Sequence, residues 1–261
     1  TVVDGTGASA FKADVRIAGG EISEVGPDLA PAGERVIDAT GCYVTPGFIE
    51  SHTHYDASMW WQPDLDPLPG YGATTMIMGN CGFSMAPLHP SAEARDEVIG
   101  IFSFFEDIPL QPFKEYVSWD WNTWSEYRKS FESRLKVPLN YASFVGHIPL
   151  RLAAMGMDAW DRAATPAEVA KMAELLDDAL AAGALGLSDN MHDHDGDNRP
   201  VPSMLADDAE FLALFDVMDR YPNTCYQVIV DTFMRMNGPA NLKRLEKLLA
   251  GRKIRVQIAG G

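Results

Sequence analysis

Short β-prone runs recur along this chain, with helix signals standing between several of them. The runs are "GFIESHTH" (47–54), "ATTMIMGNCG" (73–82), "LNYASFVGH" (139–147), "ALGLSDN" (184–190), "TCYQVIVDTF" (224–233) and "KIRVQIAGG" (253–261). The clearest helix signal is "TPAEVAKMAELLDDALAAG", in which Thr165 is the N-cap, Pro166 takes the first helical position and Glu168 the capping-box position. Apolar residues then follow at helical spacing, and Gly183 terminates the helix. "ADDAEFLALFDVMDRY" and "GPANLKRLEKLLAG" read the same way. Strand–helix–strand alternation with apolar strands predicts a parallel sheet buried on both faces.

The N-terminal part differs. "ADVRIAGGEISEVG" alternates Val15, Ile17, Ile22 and Val25 around Gly19-Gly20, the pattern of a hairpin with one buried face. A small β domain over residues 1–45 is therefore expected, followed by an α/β domain over 46–261. Residues 83–138 form a long insertion between the second and third runs. Its Trp119, Trp121 and Trp124 either line a pocket or anchor the loop to the outside of the sheet.

Composition excludes several function classes. The 261 residues are 46% hydrophobic and 22% charged, a globular balance able to bury a sizeable core. A formal charge of −16, with no block of Lys and Arg, sets the chain against a phosphate backbone, so nucleic acid is not an expected partner. No apolar run approaches the length of a membrane span, and no basic segment precedes an apolar one at the N-terminus. Cys42, Cys81 and Cys225 are odd in number and far apart, which suits a reducing compartment, the cytoplasm. The chain opens on Thr1, so further residues are expected to precede it.

Chemistry concentrates at the ends of the first two runs. His52 and His54 stand in an i, i+2 relation, which on a strand puts both imidazoles on one face and lets them reach one metal ion. They follow Pro46-Gly47 and an apolar pair, and precede Asp56. The second run ends in "GNCGFS", where glycines allow close backbone approach around Cys81, a candidate third ligand. The alternative for Cys81 is a small buried apolar residue, which is the reading given to Cys42 and Cys225.

"YVTPGFIESHTHYD" resembles the first-strand signature of the amidohydrolase superfamily, and "GATTMIMGNCGFSMAPLHP" resembles its N-acyl-D-amino-acid deacylase (D-aminoacylase) branch. "FEDIP", "VGHIPLR", "ATPAEVAKMAELLDDALAAGALGLS" and "DGDNRPVPS" extend the resemblance over nearly the whole chain. It implies a (β/α)8 TIM-like barrel, with about six of its strands in this chain, beside a small N-terminal β-sandwich formed by both ends of the polypeptide. It also implies zinc, as one or two ions, with His52 and His54 as ligands of one position and Cys81 ligating or bridging. The implied reaction is metal-dependent hydrolysis of the amide bond of an N-acyl-D-amino acid.

The chain departs from that pattern in two places. The resemblance implies a histidine ligand on each of the fifth and sixth strands, where this sequence offers Gln227, Asp231 and Gln257. It also implies a general-base aspartate on the eighth strand, outside this chain, so a C-terminal continuation or a second chain is expected to complete the barrel. A homo-oligomer is also admitted. Two alternatives stay open: an amidohydrolase acting on a cyclic amide, and a degenerate barrel that binds ligand without turnover.

The remaining candidates concern substrate. His147 closes the third run and is expected at the same mouth, in contact with substrate or supporting a ligand, the alternative being a hydrogen-bonded structural histidine. Asn190 closes the fourth run, and His192 and His194 follow on a polar loop that covers the pocket or is simply solvated. Arg151 and Arg199 either hold a substrate carboxylate bidentately or pair with the many acidic residues. His89, beside Pro87 and Pro90, reads as loop.

Overall fold

Gly19 and Gly20 take positive φ angles of 64° and 84°, the turn geometry that brings β1 (Asp14–Ala18) back against β2 (Glu21–Gly26) as an antiparallel hairpin. The computed structural model describes residues 1–231 and 237–260, and its contacts divide the chain into two units, Thr1–Phe48 and Ile49–Gly261. In the first unit, isolated bridges join Val2 to Phe11 and to Val44. Arg16 bonds Glu24 and Glu34 across the hairpin. The alternation that predicted a buried face does not bury one here: Ile17 and Ile22 are about two-thirds exposed, at 66% and 69%. A two-stranded sheet has no second layer of its own to cover it. Among the described residues this unit contains no sandwich.

All six predicted runs form strands. β3 (Phe48–Glu50) is followed by the single turn α1 (Tyr55–Ser58) and then by β4 (Ala73–Met78). Three helices fill the insertion: α2 (Ala92–Glu106), α3 (Leu110–Tyr116) and α4 (Trp124–Arg134). Then come β5 (Asn140–Ser143), β6 (Val145–Gly146), α5 (His147–Met155), α6 (Pro166–Ala181), β7 (Gly186–Asn190), α7 (Asp208–Met218), β8 (Cys225–Val230), α8 (Gly238–Leu249) and β9 (Arg255–Gly260). The third run is split. β5 pairs parallel with β4, and beyond Phe144 the chain continues as β6, which pairs parallel with β7. Strand order is therefore β3-β4-β5 in one sheet and β6-β7-β8-β9 in the other, with β4 parallel to β5 and β6 to β9 parallel in succession. Thr232 and Phe233, closing the fifth run, and Gly261, closing the sixth, lie outside the described residues.

Burial follows that order. β7 is buried throughout and β8 from Tyr226 onward, as expected for strands covered on both faces. The outermost strands differ: Phe48 and Ile49 on β3, and Val256 and Ile258 on β9, are exposed. Four helices carry side-chain N-caps. Thr165 caps α6 and Thr123 caps α4, each in a capping box with a glutamate three residues on, while Ser91 and Asp207 cap α2 and α7. Each such cap is worth about 1 kcal/mol. α6 turns Met172, Leu175, Leu176, Ala179 and Leu180 inward, the three- and four-residue spacing of one helix face. Among the described residues no helix is long and apolar enough to cross a membrane.

The insertion's tryptophans are core. Trp121 and Trp124 are buried, Trp121 lies 5.4 Å from Trp60 and 5.0 Å from Tyr127, and its Nε1–H donates to the Met85 carbonyl at 2.8 Å. Trp119 packs against them and donates to the Phe113 carbonyl. Trp119 and Trp121 join Trp60, Phe113 and Tyr127 in one aromatic cluster that anchors the insertion by packing.

Candidate metal centre

The two histidines are positioned by the residue between them. Thr53, 6% exposed, donates both its N–H and its Oγ1–H to the Ile77 carbonyl on β4, at 3.0 and 2.9 Å. Asn80 Nδ2 then donates to the Thr53 and Ile77 carbonyls. Thr53 is thus locked against β4, and His52 and His54 stand on either side of it between the end of β3 and the start of α1.

Cys81 is held by residues far along the sequence. Its backbone adopts a left-handed φ of 57°, which for a non-glycine residue costs on the order of 1 kcal/mol and persists only where the surroundings enforce it. They do so thoroughly. The Cys81 N–H donates to Gln227 Oε1 at 2.8 Å, and the Cys81 carbonyl accepts from Asn190 Nδ2 at 3.2 Å. The following Gly82 N–H donates to Ser188 Oγ, which in turn donates to the Gly79 carbonyl. A Cβ on Gly82 would lie 2.9 Å from the Asn190 nitrogen, and one on Gly79 would lie 2.4 Å from the Phe144 carbonyl oxygen. Both glycines are required by close approach as well as by positive φ.

The result is a cluster of three donors. Cys81 Sγ lies 2.9 Å from His52 Nε2 and 3.3 Å from His54 Nε2, and all three ligand atoms fall within 4.8 Å of one another. His54 stacks on Phe83 with centroids 4.5 Å apart, and its Nδ1 is buried without a hydrogen-bond partner. Glu106, the last residue of α2, brings Oε1 to 3.5 Å from His54 Nε2.

Burial governs the protonation of these groups. It depresses His54 to about 3, with the charge of His52 adding to the effect, and it also lowers His52, against the opposing pull of Glu50. Both imidazoles are neutral at pH 7 and so carry free lone pairs. Burial pushes the Cys81 thiol up, reinforced by the negative charges of Glu106, Asp193 and Asp56. It also raises Asp56 to about 8, only partly offset by nearby backbone N–H groups, so that buried carboxyl holds its proton at neutral pH. The site therefore gathers neutral nitrogen donors and a thiol that ionises only when a cation compensates it. Two imidazoles and a sulfur at these separations are a donor set that fits zinc.

The candidate substrate residues fare differently. His147 is fully buried: Nδ1 pairs with Asp189 Oδ1 at 3.0 Å and Nε2 with Glu210 Oε1 at 2.8 Å, so neither nitrogen faces a substrate. Burial works against its charged form, but Asp189 and Glu210 outweigh that and raise it to about 9. This corrects the expectation of a mouth-facing histidine in favour of its structural alternative. Arg151 belongs to the same network, fully buried and paired with Glu210. Asn190 is also buried, and its amide bonds Cys81 and Asp193, so it positions the cysteine loop and does not present itself to a ligand.

His194 is separate from the cluster, bonded to the Asp195 carbonyl on the loop after β7 and ring-packed at 6.5 Å from Phe104. Arg199 lines a cavity of about 230 Å³ with Glu97, Ile101, Phe104, Trp160 and Asp195. Its guanidinium lies 4.3 Å over Trp160, pairs with Asp195 at 2.6 Å and reaches Glu97 at 3.5 Å. A wider depression lined by Pro63, Pro69, Lys136 and Val137 contains none of the three donor residues. Of the other cysteines, Cys42 is exposed and Cys225 half-buried, so the reading of both as small buried apolar residues fails for Cys42.

Sequence reasoning missed Glu106 and the anchoring role of Ser188, and noted Gln227 only as a neighbour. Gln227 and Gln257 stand on β8 and β9 where the resemblance implies histidines. Gln227 Oε1 accepts from the Cys81 N–H while its Nε2 is buried without a partner, and Gln257 Nε2 makes a long 3.5 Å contact to the Ser51 carbonyl, one residue before His52.

A profile of the Amidohydrolase family matches residues 35–259. The chain belongs to that family. This amidohydrolase is 39% identical over 188 residues to an N-acyl-D-aspartate deacylase of Alcaligenes xylosoxydans xylosoxydans, covering 72% of this chain and 34% of the relative. It is 34% identical over 189 residues to a D-aminoacylase of the same organism, covering 72% and 36%. Among solved structures, an N-acyl-D-glutamate deacylase from Bordetella bronchiseptica, complexed with zinc and a phosphonate inhibitor, superimposes with a TM-score of 0.74 at 28% identity, over 98% of this chain and 48% of that one. The amidohydrolase chain thus spans about a third of the length of the sequence relatives it matches.

Proposed function

We propose that this chain is the metal-bearing part of a hydrolase that cleaves the amide bond of N-acyl-D-amino acids, with zinc held by His52, His54 and Cys81. The observation that carries the reading is the meeting of two imidazole nitrogens and a thiol within 4.8 Å at adjacent strand ends. Its kinship with deacylases supports the substrate class. When bound, such a cation polarises the scissile carbonyl and makes a nucleophilic water available at neutral pH.

The chain's own residues provide positioning. Thr53 orients the two imidazoles through β4. Gln227, Asn190 and Ser188 fix the cysteine loop, and Phe83 holds the plane of the His54 ring. Neutral imidazoles bind without competition from their own protons. Strands β3 to β9 are read as part of a (β/α)8 barrel and the hairpin unit as part of a small β-sandwich, with a C-terminal continuation or a second chain as the expected source of the aspartate that accepts a proton from the attacking water. Three free cysteines support a cytoplasmic setting.

The test is zinc content by plasma mass spectrometry, paired with hydrolysis of N-acetyl-D-aspartate, N-acetyl-D-glutamate and N-acetyl-D-leucine against cyclic imides. Stoichiometric zinc and D-specific deacylation abolished by chelation are expected. Imide turnover alone would move the protein to the cyclic-amide reading. Absence of bound metal, with activity indifferent to chelation, would overturn the proposal.

A further inference from the structure

The donor cluster has an unclaimed neighbour. α2 ends at Glu106 because Asp107 takes a left-handed φ of 53° and Pro109 follows. Phe105 stacks on Phe83 at 5.6 Å and 18°, and Phe83 stacks on His54 at 4.5 Å and 12°. This three-ring column ties the last turn of the insertion helix to the metal-facing imidazole, and the residue after Phe105 is delivered to that imidazole's Nε2. The separation from Glu106 Oε1 is 3.5 Å. Two ligands bound 2.0–2.3 Å from one tetrahedral ion lie about 3.3–3.7 Å apart, a range that includes this separation and the 3.3 Å between His54 Nε2 and Cys81 Sγ, while His52 Nε2 stands closer to the sulfur at 2.9 Å and the 4.8 Å cluster itself comprises His52, His54 and Cys81 without Glu106. Glu106 is only about a third exposed, and among the described residues no Lys or Arg forms an ion pair with it.

We propose that Glu106 is a carboxylate ligand of the same metal site, contributed by the insertion helix to a site whose fifth- and sixth-strand positions carry Gln227 and Gln257. The inference rests on the reading of His52, His54 and Cys81 as ligands and adds a fourth. It assigns the insertion a role in cation binding beyond packing.

The experiment measures zinc affinity of the purified protein by competition with a chromogenic chelator, and the visible spectrum of its cobalt(II)-substituted form. Glu106→Gln is expected to weaken zinc binding about ten- to a hundred-fold and to shift the cobalt bands. Glu106→His, which restores a donor, is expected to recover most of the affinity, and it serves also if the glutamine variant does not fold. His54→Ala separates the two layers of the argument. If it abolishes metal binding while both Glu106 variants match wild type in affinity and spectrum, the three-residue reading stands and Glu106 is not a ligand. If His54→Ala binds zinc as wild type does, the underlying reading falls, and this inference with it.

Discussion

Around His147 both ring nitrogens and all four oxygens of Asp189 and Glu210 have protein partners, whereas around His54 a ring nitrogen is buried with none. Both histidines close a β run, the first and the third, and each has a carboxylate within 3.5 Å. The difference is in what remains unspent. The His147 network is fully buried and its charges stabilise one another, with Arg151 Nε left without a partner. The His52–His54–Cys81 cluster instead turns three metal-type donor atoms, the two Nε2 and Sγ, toward one another, the unpartnered Nδ1 of His54 lying on the other side of its ring.

The strongest attempt to break that contrast is Glu210→Ala. It strips His147 and Arg151 of a shared buried partner, and a loss of about 3–5 kcal/mol is expected in urea unfolding. Zinc content should stay at the wild-type level in whatever fraction remains folded. If this variant lost its metal without losing stability, the two clusters would have been assigned the wrong way round.

Ser188→Ala tests the connection between them from the other side. It removes the acceptor of the Gly82 N–H and the donor to the Gly79 carbonyl, both buried, at about 1–3 kcal/mol for each group left unsatisfied. Because those bonds hold the Cys81 loop, zinc affinity should fall as well. Unfolding and chelator competition on one preparation would sharpen the contrast: scaffold variants change only the first measurement, and loop variants change both.

The smallest effect is a pH dependence. His147 is raised from its ordinary 6.5 to about 9, so its contribution to stability is complete below 6.5 and is lost as pH rises through 9. Asp189 and Glu210 are lowered, because His147 and their hydrogen-bond partners outweigh burial. Their contribution is present above the ordinary carboxylate range and is lost as pH falls below it. A stability plateau at mildly acidic pH is expected, with a decline from pH 7 to 10. The decline should flatten in Glu210→Gln, and an equal slope in both proteins would refute the assignment.

Local patterning made much of this visible beforehand. The β runs, the Thr165 capping box and the i, i+2 histidines are each set by residues within a few positions, and each stands as expected. Cys81 was accessible because glycines flank it. What was not legible depends on partners far away in sequence. His147 reads as an end-of-strand histidine until Glu210, 63 residues later, is brought against it. The exposure of Ile17 and Ile22 follows from having nothing in their own unit to pack on, which alternation along the hairpin cannot report. Glu106 was hidden because its reach depends on where a helix stops and on a ring column assembled from three separate segments.

The cysteine loop has a consequence for the order of events during synthesis. His52 and His54 leave the ribosome early, but the groups that force Cys81 into its unfavourable backbone shape sit 106 to 146 positions later, at Ser188, Asn190 and Gln227. Until those have emerged and docked, nothing holds the loop in that shape, so the sulfur takes its place beside the imidazoles only once the chain has been made at least as far as Gln227.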